Sequence, residues 1–103
     1  MAYKLIVSKE THSDIDGIVT YIIQVLKSPQ AANSFLDDVE RSYRSITDNP
    51  YMYSLCRDIR LQRKGYRKIP IKNFLVIYRV DETVESVLVV RIVYGARDYA
   101  KLF

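Results

Sequence analysis

One cysteine, one histidine, three prolines, three glycines and no tryptophan occur in 103 residues. The single cysteine, Cys56, cannot form an internal bridge, which fits a reducing compartment. A single histidine, His12, leaves no Cys/His pair and no paired acid motif at metal-ligand spacing, so neither a metal site nor a cofactor is expected. His12 lies in a polar run before the first helical pattern and reads as a solvent-facing side chain. The longest apolar run falls far short of the ~18 residues that a membrane span needs. The opening stretch "MAYKLIVSKE" has no apolar core of the kind a signal peptide carries. A cytoplasmic chain without a membrane partner is therefore expected. There is no repeat, linker or low-complexity tract, so the chain reads as one domain over residues 1–103. With 49% of its residues apolar, such a domain can bury roughly two-thirds of its unfolded surface in one core, without disulfide or metal.

What is present in excess is positive charge, and it is local. The net charge is +4. Residues 1–56 and 80–103 are each slightly acidic, whereas residues 57–79, "RDIRLQRKGYRKIPIKNFLVIYR", hold eight basic residues and one acid. A dense basic cluster with almost no compensating acid points to a polyanion or an acidic protein as partner.

The periodicities divide the chain. Residues 3–7, "YKLIV", read as a strand. Ile15, Ile18, Val19, Ile22, Ile23 and Leu26 then follow the spacing of one helical face, with Thr11 or Ser13 as the expected cap. Ser28 suits an N-cap and Pro29 the first helical position of a second helix. Ala32, Phe35, Leu36, Val39, Tyr43 and Ile46 line its face, and "DNP" at 48–50 closes it. The short link makes the two helices an antiparallel hairpin. Residues 51–65 show no period and read as a long connection with at most a short strand or turn. Strands are expected at 66–72, 74–80 and 86–94. The last two are apolar on both faces, as central strands are. The expected fold class is α+β, in the order β-α-α-β-β-β. A small twisted, mainly antiparallel sheet carries an N-terminal α-helical hairpin on one face.

Two stretches carry a resemblance to a known family: "GYRKIPIKNFLVIYRVDE" (65–82), a basic strand leading into an apolar one, and "VRIVYGARDYAKLF" (90–103), a final strand followed by a glycine and a basic residue. With the element order, they make the chain similar to the RelE/ParE superfamily of toxins from bacterial type II toxin–antitoxin modules. The resemblance implies an acidic antitoxin as cognate partner and one of two activities, with the mRNA endonuclease as the first reading and gyrase inhibition as the alternative. RelE-like members cut mRNA on the ribosome without a metal, and ParE-like members inhibit DNA gyrase by binding. A member without activity of its own is a third reading.

If the chain is a nuclease, the resemblance assigns the scissile phosphate to Arg97, two residues beyond Gly95. It assigns proton transfer or base stacking to Tyr99, and a lysine found in some nucleases to Lys68. Those three are the catalytic candidates. Guanidinium engages two phosphate oxygens at once, whereas a tyrosine with a pKa near 10 is a poor base until cations lower it. If Ile69 and Ile71 face the core, alternation turns Tyr66, Lys68 and Lys72 to the opposite face, suited to a phosphate backbone and a stacked base. Arg67, Lys72, Tyr66, Arg63 and Lys64 are thus the substrate-binding candidates, although Arg67 alternates with the isoleucines. One departure from the nuclease pattern stands out. Leu75 follows Phe74 where RelE-like nucleases carry a catalytic arginine, so either Arg79, Arg91 or Arg67 substitutes or the nuclease site is degenerate, which favours the ParE-like reading. Arg91, inside an apolar strand, reads equally as half of a structural ion pair.

Overall fold

Helix α1 (Lys9–Gln24) begins earlier than its apolar period, and the reason lies in the sheet. The computed structural model describes residues 2–95 and 98–103. Strand β1 (Lys4–Val7) runs parallel to β4 (Ser86–Tyr94), but the pairing stops at Val7 and Val89. Beyond that point β4 has no strand on this side, and its backbone groups need other partners. Ser8 supplies its N–H to the Val89 carbonyl at 2.9 Å and its hydroxyl to the Val90 carbonyl at 2.8 Å. The Thr11 hydroxyl donates to Val89 at 3.3 Å. Asp14 accepts the Ile92 N–H at 3.0 Å. The cap is therefore Ser8, whose hydroxyl accepts the Thr11 N–H at 3.0 Å, and not Thr11 or Ser13. The first turns of α1 are polar because they stand in for a strand.

Helix α2 (Pro29–Asp48) starts as expected: Ser28 accepts the Ala31 N–H at 3.1 Å, and Pro29 takes the first helical position. Lys27 adopts a left-handed φ of 53° between the helices, as residues just past a helix end often do. Ile22 from α1 and Ala32, Phe35, Val39 and Ile46 from α2 are buried, with Ile15, Ile18, Val19 and Tyr43 packed around them. Ile23, Leu26 and Leu36 are exposed instead. Leu26 lies past the end of α1, and Ile23 and Leu36 turn away from the sheet.

The four strands lie in the order β1-β4-β3-β2. Strands β2 (Arg67–Ile71), β3 (Phe74–Asp81) and β4 are antiparallel neighbours. Val76, Tyr78, Val87, Val89 and Ile92 face the helices. The register shifts at Ile77/Tyr78, which places Val90 as an extra residue in β4. This bulge keeps Val89 and Ile92, three positions apart, on the same side. Phe35, Phe74 and Tyr94 form a chain of edge-on aromatic contacts with centroids 5.4 and 5.9 Å apart. A groove of about 800 Å³ opens beside it, lined by Tyr21, Leu26, Phe74 and Tyr94.

The sheet is covered on its second face too. Residues 51–65 contain a short helix, α3 (Ile59–Arg63), which the sequence did not announce. Its Leu61 packs with Cys56, Ile77 and Val93 under a 3₁₀ turn, Tyr99–Leu102. On the open edge of β2 the Lys68 N–H reaches the Ser54 carbonyl at 3.1 Å. Two residues further, Pro70 offers no N–H, which blunts the edge against further pairing.

Candidate functional site

Ile69 and Ile71 are buried under α2, so the alternation of β2 sends Tyr66 and Lys68 to the second face, as expected. The 57–66 segment supplies the neighbours. Asp58 caps α3 by accepting the N–H groups of Arg60 (2.9 Å) and Leu61 (3.2 Å). Leu61 anchors the helix, leaving Arg57, Arg60, Arg63 and Lys64 exposed. Gly65, at a φ of +83°, turns the chain into β2, a conformation that suits glycine.

The 3₁₀ turn lies among these cations. Arg60 Nη2 donates to the Ala100 carbonyl at 3.0 Å. Phe103 packs on Tyr66 with ring centroids 5.1 Å apart. The Arg79 guanidinium, from β3, lies 5.8 Å from the Tyr66 ring centre. Tyr99 packs against the cluster that holds Cys56, and the Lys68 charge lowers the pKa of that thiol. Tyr99 therefore lies against a buried cysteine, and Lys68 is partly buried on the same face of the sheet. Desolvation raises the pKa of Tyr99, with the Cys56 contact adding to it and the Arg57 charge opposing it. Desolvation likewise raises the Cys56 pKa, against Tyr99 and Lys68. A tyrosine moved in this direction is a weaker base than a free one.

Two expected members lie elsewhere. Lys72 does not share the face of Lys68: β2 ends at Ile71, and Lys72 sits in the two-residue turn before β3 with a left-handed φ of 54°. The alternation breaks there, and its amine reaches Ser34 on α2 at 2.8 Å. Arg67 alternates with the isoleucines. It donates to the Tyr53 carbonyl at 2.6 Å and lies 5.0 Å from the Tyr51 ring centre, fastening the 51–55 segment. That segment is also tied through Glu82, which accepts hydrogen bonds from both Tyr51 and Tyr3. Arg97 lies outside the described residues.

Leu75 packs against the second apolar cluster. Arg91 is held by Asp14 through Nε and Nη2, both at 2.8 Å, so it belongs to an ion pair that ties α1 to β4. That hydrogen bonding is the main cause of its raised pKa. His12 is exposed on α1. Sequence reasoning missed the Cys56–Tyr99 contact, which has no local signal. It also did not place Arg57 and Arg60 at the site, although the spacing Arg57, Arg60, Arg63 is that of one side of a helix. Among the described residues no group of acids, histidines and cysteines could hold a metal ion, and no helix is long and apolar enough to cross a membrane.

Residues 5–99 match the family described as the ParE toxin of the type II toxin–antitoxin system parDE. Among solved structures, the chromosomal ParDE system of P. aeruginosa superposes with a TM-score of 0.72 at 17% identity, covering 90% of this chain and 96% of that one. A mutant of the E. coli toxin RelE in the free state gives 0.68 at 12% identity, over 99% and 93% of the two chains. The RelBE2 toxin–antitoxin complex from Mycobacterium tuberculosis gives 0.63 at 15% identity, over 91% and 99%. These likenesses are of fold. No curated protein matches the sequence significantly.

Proposed function

This chain belongs to the ParE toxin family of type II toxin–antitoxin systems, and we propose that it acts by binding its target, DNA gyrase, without cleaving mRNA. The observation that carries this reading is the environment of Leu75 and Tyr99. Metal-free RNA cleavage needs a base for the 2′-hydroxyl and a cation on the developing phosphorane. At the strand position where the nucleases carry an arginine, Leu75 is packed into the apolar cluster of Cys56, Leu61, Ile77 and Val93. Tyr99 packs against the same cluster, and desolvation raises its pKa. Lys72 and Arg67 are bonded to other parts of the fold.

Lys68 on the second face of the sheet, where Tyr99 also packs, supports a second reading, a ribosome-dependent endonuclease with Arg97 as the phosphate ligand. Both readings keep a cognate acidic antitoxin, since some solved relatives of this fold are toxin–antitoxin complexes. In both, the toxin acts in the cytoplasm.

The test sets the purified chain against two targets: plasmid supercoiling by gyrase, and single-turnover cleavage of mRNA in the ribosomal A site. Loss of supercoiling with intact mRNA is expected. Site-specific cleavage that Arg97→Ala lowers by on the order of 10²-fold would replace the binding reading with the nuclease one.

A further inference from the structure

The cations of residues 57–79 differ from those of α2 in one respect. Arg41 and Arg44 are paired with Asp38 and Glu40. Arg57, Arg63, Lys64, Lys68 and Arg79 have no carboxylate within ion-pair distance among the described residues. The one acid of the segment, Asp58, is engaged as the cap of α3 and lies 3.8 Å from Arg60. Arg60 bonds the 3₁₀ turn and Arg79 faces the aromatic pair beside it, while Arg57 and Lys68 act through their charge on Tyr99 and Cys56. Arg63 and Lys64 continue the same surface at the end of α3. This is a positive field on a rigid support, in which Asp58 beside Arg60 and Asp98 beside Lys101 offset only part of the charge.

Among the described residues this surface shows no open aromatic face. Single-stranded nucleic acids are held largely by stacking bases on exposed aromatic rings. Here Tyr66 is packed by Phe103 and faced by Arg79, and Tyr99 is packed against the cluster of Cys56 and Leu61. Long cations without a stacking platform suit a ligand whose phosphates are presented in a regular array with its bases already stacked. We infer that this face binds the phosphodiester backbone of duplex DNA without reading its sequence. The contacts are Arg57, Arg63, Lys64 and Arg79, with Lys68 at the rim of the 3₁₀ turn. Phosphate contacts fix position and carry no sequence information, so affinity should be modest and governed by salt. The inference adds a ligand to the proposed target binding and does not depend on it.

The test is fluorescence anisotropy with a labelled 20-base-pair duplex of arbitrary sequence and a single-stranded RNA of equal length. Four neutralised phosphates predict a loss of about 100-fold in duplex affinity between 50 and 200 mM salt. Arg63→Gln/Lys64→Gln should weaken duplex binding about tenfold and flatten that dependence. Arg41→Gln/Arg44→Gln removes the same charge from α2 and should change binding less than twofold. Melting temperatures establish that both variants fold. Absence of salt-dependent duplex binding by folded wild type at 50 mM would overturn the inference. So would equal losses in the two variants, or single-stranded RNA bound tenfold tighter than the duplex. Supercoiling measured on the same preparations judges the gyrase reading separately.

Discussion

At the scale of single residues, side chains of one type take opposite roles according to their partners. Tyr78 is buried and donates its hydroxyl to the Pro50 carbonyl at 2.8 Å. Tyr43 is packed against the same core, but its buried hydroxyl has no hydrogen-bond partner among the described residues. A buried, unpaired hydroxyl bears its full desolvation penalty. Tyr43→Phe should therefore raise stability by about 1 kcal/mol and the melting temperature by roughly 4–8 °C. Burial also pushes Tyr43 up to about 12 and Tyr78 up to about 12. Their folded-state values lie above the unfolded value near 10, so the stability they carry is complete below pH 10 and lost as pH rises toward 12. Urea unfolding at pH 8 and pH 11 should show that fall in the wild type and a smaller one in Tyr43→Phe. An unchanged or lower stability for Tyr43→Phe at pH 8 would mean that the hydroxyl is satisfied.

At the scale of elements, the join between α1 and β4 depends on polar side chains. Asp14 serves both Arg91 and the Ile92 N–H. Asp14→Ala leaves a guanidinium and a backbone donor unpaired. Because the pair is partly solvated, with side chains 14% and 26% exposed, the cost should be about 2 kcal/mol, below that of a fully buried pair. Adding Arg91→Met should recover most of it, and a double variant as unstable as the single one would contradict this account. The opposite side of the helical layer is apolar. Phe35→Ala or Ile22→Ala should cost roughly 2–5 kcal/mol, as large-to-small core changes do. Thermal unfolding checks this, and an unchanged melting temperature would place the core elsewhere. The helices were readable because their apolar residues recur at helical spacing. Helix α3 was not, because five residues carry too little of a period, and its single buried leucine acts only through contact with Ile77 and Cys56.

At the scale of the whole molecule, charge and apolar surface lie apart. The basic face is on the second side of the sheet, and the groove lined by Tyr21, Leu26, Phe74 and Tyr94 lies beside α1. An acidic antitoxin segment that crosses β2 and the 3₁₀ turn would order on binding, and salt should slow its association. Stopped-flow association at 50 and 300 mM salt should differ by at least tenfold. Salt-insensitive association through the helical hairpin alone would remove the basic face from this role.

The sequence by itself determined the α+β class, the element order, the cap at Ser28, the two-sided burial of β3 and β4, and the local excess of cations. Each of these rests on the spacing of neighbouring residues, which local physics reads directly. Only the tertiary structure decided how that material is used. It set β1 parallel beside β4, moved the start of α1 to Ser8 because β4 outruns β1, and turned Lys72 toward Ser34. It bound Arg91 to Asp14, 77 positions away in the chain. It also packed Tyr99 and Leu75 against the cluster of Cys56 and Leu61. Contacts between residues this far apart leave no period in the sequence, because they follow from how two faces of one sheet are covered.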